Sequence, residues 1–213
     1  MPYRQIVFDL DGTLIDTEYA ILHSLQETIR TVTGSTIELS KLKFALGITG
    51  KDALEKLNIA DIPFVLALWD KNMSTFRDTV HVFDGIGELL ATLTRLGYEL
   101  GIVTSKTRRE FEDDFSGFGI DKYFGTIICA DDTAEHKPSP APLLKYMEVS
   151  KTSNRELLYI GDSEYDMKCA KNAGIDFALA CWGASSGAID AKYYLKKPSE
   201  LLSVIRPDQQ IQY

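Results

Sequence analysis

The 213-residue chain is poor in cysteine, with three residues, Cys129, Cys169 and Cys181. They are odd in number, far apart and without CxxC spacing. That excludes a disulfide framework and a cysteine-built zinc site, and it fits a reducing cytoplasm. No apolar run is long enough to span a bilayer. The opening stretch, Met1-Pro2-Tyr3-Arg4-Gln5, lacks the shape of a signal peptide. Positive charge is also short: the formal net charge is −8 and the isoelectric point near 4.9. Nonspecific binding to nucleic acid or to an anionic membrane is therefore not expected. No internal repeat or low-complexity segment stands out. What is present is ordinary for a soluble globular chain, 45% hydrophobic and 25% charged, long enough for one good-sized α/β domain or a core with an insert.

The chain is organised around Ile6-Val7-Phe8-Asp9-Leu10-Asp11-Gly12-Thr13-Leu14. A short apolar run leads into two aspartates spaced by one. A buried strand delivers such a pair to its carboxyl end, where open α/β sheets keep their ligands. Residues two apart in extended chain face the same side. Two carboxylates in one pocket need a cation or a shared proton. Gly12 permits a sharp turn behind them.

The segment that follows reads as helical: Tyr19 to Val32, a piece capped by Ser40, Lys51 to Leu57, and a helix opened by Asp61-Ile62-Pro63. No strand is predicted between Leu14 and Val80. From Val82 onward strands alternate with helices. The strands are Tyr98–Ser105, Thr126–Cys129, Leu157–Gly161, Phe177–Ala180 and Tyr193–Leu195. Between them the predicted helices include Ile86–Leu96, Thr107–Phe118, Pro140–Val149, Ser163–Ala173 and Ser199–Ile205. This pattern predicts an α/β fold with a Rossmann-like parallel sheet covered by helices on both faces. The predicted division is a core of residues 1–16 and 80–213 with an inserted helical cap over 17–79.

Three further stretches follow predicted strands. Thr104-Ser105-Lys106 puts a hydroxyl where it can donate to an oxyanion, although a Thr at a strand end ordinarily just tidies the turn. His136-Lys137-Pro138-Ser139-Pro140 fixes a lysine between stiffening prolines. Gly161-Asp162-Ser163-Glu164-Tyr165-Asp166 brings two more carboxylates, an oxygen-rich donor set that suits magnesium. Asp162 read as a helix cap and Asp166 as a surface residue is the plain structural alternative.

Together, in this order, the four stretches resemble the signatures of the haloacid dehalogenase-like hydrolase superfamily. The resemblance implies Asp9 as nucleophile, Asp11 as acid/base, and Thr104, Ser105 and Lys137 on the phosphoryl group. It implies a Mg2+ ion held by Asp9, the backbone carbonyl of Asp11 and Asp162, with Asp166 as ligand or support. It places the first strand centrally between the second and fourth core strands. Asp11 argues for phosphoryl chemistry, since true dehalogenases lack that second aspartate. Ile102-Val103-Thr104-Ser105-Lys106 and Lys171-Asn172-Ala173-Gly174 are most similar to the phosphoglycolate phosphatase and pyrophosphatase-like branch. One departure is Asp84-Gly85, where that branch commonly has Pro-Gly. The expected activity is hydrolysis of a small phosphorylated metabolite by a cytoplasmic monomer or homodimer. The alternatives are an inorganic pyrophosphatase, a β-phosphoglucomutase-type mutase, or a binding and regulatory module. The mutase is weakened because Gly50 occupies its arginine position, beside Lys51. A module is disfavoured because every matched catalytic position is filled. Thr17, His23, Gly47, Thr49 and Lys51 are the candidate selectors of substrate; His23 reads equally as structural and Lys51 as solvated.

Overall fold

A computed structural model describes residues 3–184 and 189–205; the predicted start of the chain at Met1 and Pro2 lies outside them. The elements in order are β1 (Gln5–Phe8), β2 (Ile15–Asp16), α1 (Glu18–Thr33), α2 (Leu39–Leu42), α3 (Gly50–Lys56), α4 (Ile62–Ser74) and β3 (His81–Val82). There follow α5 (Ile86–Arg95), β4 (Glu99–Val103), α6 (Arg108–Phe115), β5 (Thr126–Ile128), α7 (Ala141–Ser150), β6 (Leu157–Gly161), α8 (Glu164–Ala173), β7 (Asp176–Ala180), β8 (Tyr193–Leu195) and α9 (Leu201–Ile205).

Six strands form one parallel sheet in the order β5-β4-β1-β6-β7-β8. The expected α/β Rossmann-like sheet is therefore present, with β1 between β4 and β6. Alternation explains why its strands read as continuous apolar runs. Ile6, Phe8, Leu158 and Ile160 pack on one face with Leu89, Leu90 and Leu93 of α5. Val7, Leu157 and Tyr159 pack on the other with Leu143 and Tyr146 of α7 and Cys169 of α8. Both faces are buried, so the central strands carry mostly apolar residues on both sides.

Helices α1 to α4 gather around a separate apolar cluster that includes Leu25, Ile29, Leu42, Leu54 and Val65. This segment leaves and rejoins the sheet domain through β2 and β3, which pair antiparallel as Ile15 with Val82 and Asp16 with His81. The expectation of no strand before Val80 is corrected here: two residues are too few to show any period. Ser40 is corrected too. It lies inside α2, whose N-cap is Glu38 and which has no side-chain capping bond.

Close packing dictates Gly101 in β4. A Cβ there would run into the ring of Tyr146 on α7, and both residues are buried in the sheet's core. Gly101→Ala is expected to destabilise the fold by about 1–3 kcal/mol, the usual range for overpacking. The midpoint of urea unfolding, compared with wild type, checks it.

Candidate active site

The site assembles at the carboxyl ends of β1, β4 and β6, where the strand order reverses direction and an open α/β sheet leaves a crevice. Asp9 follows β1, and its backbone N–H still pairs with Ile160 O at 2.8 Å. The side chain is thus aimed by the sheet itself and is 2% exposed. Thr104 follows β4, its N–H on Ile128 O at 3.0 Å, while its hydroxyl accepts from the Lys106 N–H at 3.1 Å. Asp162 follows β6. Gly12, at φ +76°, turns the chain after Asp11, and a side chain there would strike Asp162. Gly183 in turn lies directly against the Gly12 carbonyl, and Trp182 donates from Nε1 to Thr13 O at 3.0 Å. The aspartate loop is therefore clasped between two other loops.

Lys137 is the centre of charge. It is 3% exposed, and its Nζ donates to Asp9 Oδ1 at 2.6 Å and to Asp166 Oδ1 at 2.7 Å. Burial alone would lower this ammonium's pKa, but Asp166 and Asp9 outweigh it and hold it raised. Asp166 is wholly buried. Its Oδ1 also accepts from Tyr159 Oη at 2.9 Å, and its Oδ2 accepts from the backbone N–H and hydroxyl of Ser163. Ser163 accepts from the Asp166 N–H in return, a capping box that opens α8. The Lys137 loop is tied to the same helix by Asn172 Nδ2, which donates to Pro138 O at 3.1 Å.

Oxygen atoms of Asp9, Asp162 and Asp166 lie within 4.8 Å of one another. Burial, and then the Asp166 charge, push the Asp9 carboxyl up to about 7 against the pull of Lys137. Burial, then Asp166 and Asp9, push Asp162 up as well. Three carboxylates thus share one ammonium, and Asp162 accepts a single long bond, 3.3 Å from Thr13 Oγ1. This hard-oxygen donor set with surplus negative charge fits a magnesium ion. Asp166 already accepts four hydrogen bonds, so the oxygens open to a cation are those of Asp9 and Asp162.

The Asp11 carboxylate stands apart from that cluster. Its Oδ1 lies 3.5 Å from Lys106 Nζ, which donates to Asp114 Oδ2 at 2.7 Å. Burial raises the Asp11 pKa, opposed by Lys106 and by a bond from Thr17. Ser105 donates to Gly47 O at 2.9 Å and so joins the helical segment to the sheet domain.

Thr49 and Lys51, expected as substrate contacts, have partners of their own within the helical segment. Thr49 caps α3, accepting from the Asp52 N–H at 3.1 Å and donating to Asp52 Oδ2 at 2.7 Å. Lys51 lies on the exposed face of α3, 3.7 Å from Glu55. Neither lines the cleft that opens above Asp9 and Asp11. Of the other selectors, Gly47 lines it and Thr17 lines a smaller recess behind Asp11. His23 stacks on Tyr19, with ring centroids 4.0 Å apart. The residues that sequence reasoning passed over are Tyr159, Lys106, Asp114 and Asn172. Lys106 and Asn172 sit inside stretches that carry the family resemblance, but nothing in a linear pattern says what they touch.

A strand-end nucleophile candidate, a neighbouring acid, a buried lysine and a cation-ready carboxylate pair define a hydrolase of the α/β class with an inserted helical segment. The chain belongs to the haloacid dehalogenase-like hydrolase family, which matches residues 6–180. It is 29% identical over 210 residues to the pyrophosphatase PpaX of Halalkalibacterium halodurans, covering 96% of this chain and 98% of that one. A crystal structure of a candidate phosphoglycolate phosphatase from Lactobacillus plantarum superposes with a TM-score of 0.86 at 30% identity, covering 96% of this chain and 100% of that one. The fold is also shared with CbbY from Rhodobacter sphaeroides, at a TM-score of 0.81 and 19% identity over 93% of this chain and 96% of that one.

Removing the ammonium leaves Asp9 and Asp166 buried without their shared partner. Lys137→Met is expected to cost about 3–5 kcal/mol of stability, the range for breaking one side of a buried ion pair. Guanidinium unfolding of the variant against wild type measures this.

Proposed function

We propose that the protein is a phosphatase that hydrolyses a small phosphate monoester through an aspartyl-phosphate on Asp9, with residues 17–79 as a cap over the site. The observation that carries this reading is the Asp9–Lys137–Asp166 ion-pair chain at the end of β1, with a separately held carboxylate at Asp11. Asp9 Oδ attacks phosphorus, and the bond from phosphorus to the leaving oxygen breaks. Asp11 gives its proton to that oxygen. Water then attacks phosphorus, Asp11 takes the water's proton, and the bond to Asp9 breaks to release inorganic phosphate. Thr104 donates its O–H to a non-bridging oxygen, and Lys137 balances charge on the transferring group. Asp9, Asp162 and the Asp11 carbonyl would hold magnesium, which when bound offsets the repulsion between Asp9 and the phosphate. Asp166 acts through Lys137 and Ser163.

Pyrophosphate is the second reading, favoured by the name of the Halalkalibacterium relative. Here the leaving group would be phosphate instead of an alcohol.

The test is phosphate release from a panel of small monoesters and pyrophosphate, with magnesium and with chelator. Release is expected to require the metal. Asp9→Asn is expected to fall to background, and Asp11→Asn to lower kcat by about 100- to 10,000-fold, as for loss of a general acid. Full turnover by Asp9→Asn would overturn the mechanism. Conversion of a sugar phosphate to its isomer without release would make the protein a mutase.

A further inference from the structure

The cleft above Asp9 and Asp11 is lined by residues of both the helical segment and the sheet domain. The wall that faces Asp11 is apolar. It is made by Ile21, Ala45, Ile48, Trp69 and Met73. Trp69 is pinned: its Nε1 donates to Ser24 Oγ at 2.9 Å, so the one polar atom of the indole is already used. Opposite the ring is Gly50. A Cβ there would stand 3.0 Å from Leu66 Cδ2 and 3.5 Å from Trp69 Cζ3, so the missing side chain lets Leu66 and the indole pack closely against the start of α3.

The charges at the mouth sum to a negative excess, which disfavours a second anionic group. Lys106 sits between Asp11 at 3.5 Å and Asp114 at 2.7 Å. Arg77 is 3.9 Å from the same Asp114, and Arg109 is 3.7 Å from Asp113. Asp70 and Glu110 add two more carboxylates to the lining. Among the described residues lining the cleft outside Asp9 and Asp11, three cations face four carboxylates, and each cation already has a carboxylate partner. A leaving group carrying a carboxylate or a phosphate would meet apolar surface and like charge there, both unfavourable.

We infer that this cleft selects a phosphate monoester whose leaving alcohol has an uncharged, apolar body, held against the wall that Trp69 helps to form. The inference rests on the phosphatase reading and narrows it, away from pyrophosphate and phosphoglycolate. An aromatic or branched alkyl group is the shape that fills such a wall, and the pinned indole offers a flat face to stack on.

The test compares benzyl phosphate with phosphoglycolate, both primary alkyl monoesters, alongside ethyl phosphate and pyrophosphate, in the full-length protein with magnesium. Benzyl phosphate is expected to exceed both phosphoglycolate and pyrophosphate in kcat/KM by at least about tenfold, the discrimination such a wall can supply. Trp69→Ala is expected to lower kcat/KM for benzyl phosphate relative to ethyl phosphate, mainly through KM. Ser74→Lys, on the exposed end of α4 at the cleft's edge, adds an unpaired cation without touching the core. It is expected to shift the preference toward phosphoglycolate, and it keeps the test open if Trp69→Ala does not fold. Equal or better turnover of phosphoglycolate or pyrophosphate overturns the inference and leaves the phosphatase intact. Release from none of the four substrates overturns both.

Discussion

An ammonium buried between two carboxylates is the constraint on which the rest of the site depends. Lys137 has no access to water worth the name, so its charge is tolerable only while Asp9 and Asp166 stay within hydrogen-bond distance. Asp9 belongs to the strand β1, Asp166 to the first turn of α8, and Lys137 to the loop between β5 and α7. The ion pair therefore ties together three parts of the chain that are 128 and 29 residues apart. Each partner is itself held: Asp9 by the β6 ladder, Asp166 by Tyr159 and the Ser163 capping box, and the lysine loop by Asn172. A carboxylate held this way keeps one orientation, and fixed geometry of this kind is what a reacting group requires.

The same arrangement suits a further cation. One ammonium cannot balance Asp9, Asp162 and Asp166 together, and burial raises the pKa of Asp9 and Asp162. Asp11 adds less to that competition: its charge raises Asp9 only after burial, Asp166 and Lys137 have acted, and its own near cation is Lys106. Two carboxylates only two residues apart are thereby given different surroundings, which is what separate chemical roles require.

The sheet places these groups because both of its faces are buried. Strands with apolar residues on both sides have only their ends free for polar chemistry, and β1 lies at the point where the order reverses. The helical segment adds a wall of a different character. Its own apolar cluster folds α1 to α4 together, and Ile48 and Trp69 of that cluster, along with Ile21, also line the cleft. The two-stranded β2–β3 ribbon and the Ser105–Gly47 bond set how that wall meets the sheet.

Much of this was legible in the linear chain. Short apolar runs ending in aspartate, threonine or glycine-aspartate announce buried strands with functional ends, because strand periodicity and turn chemistry are local properties. As candidates, Asp9, Asp11, Asp162 and Asp166 stood out on that ground, as did the parallel sheet, while Thr104 and Lys137 rested on the family resemblance. The two-residue strands were not, being too short to have a period, and Ser40 looked like a cap because capping residues are common inside short helices as well. For Thr49 and Lys51 a sequence shows that they are polar but not which way their helix faces. Lys106 beside Asp11, Tyr159 beneath Asp166 and the apolar wall around Trp69 exist only once separate elements are packed. The order and chemistry of the strand ends were thus determined by the sequence itself, through local backbone preferences. Which charges neutralise one another, and what surface a leaving group would meet, was decided by tertiary structure alone, since both depend on distances between residues far apart in the chain.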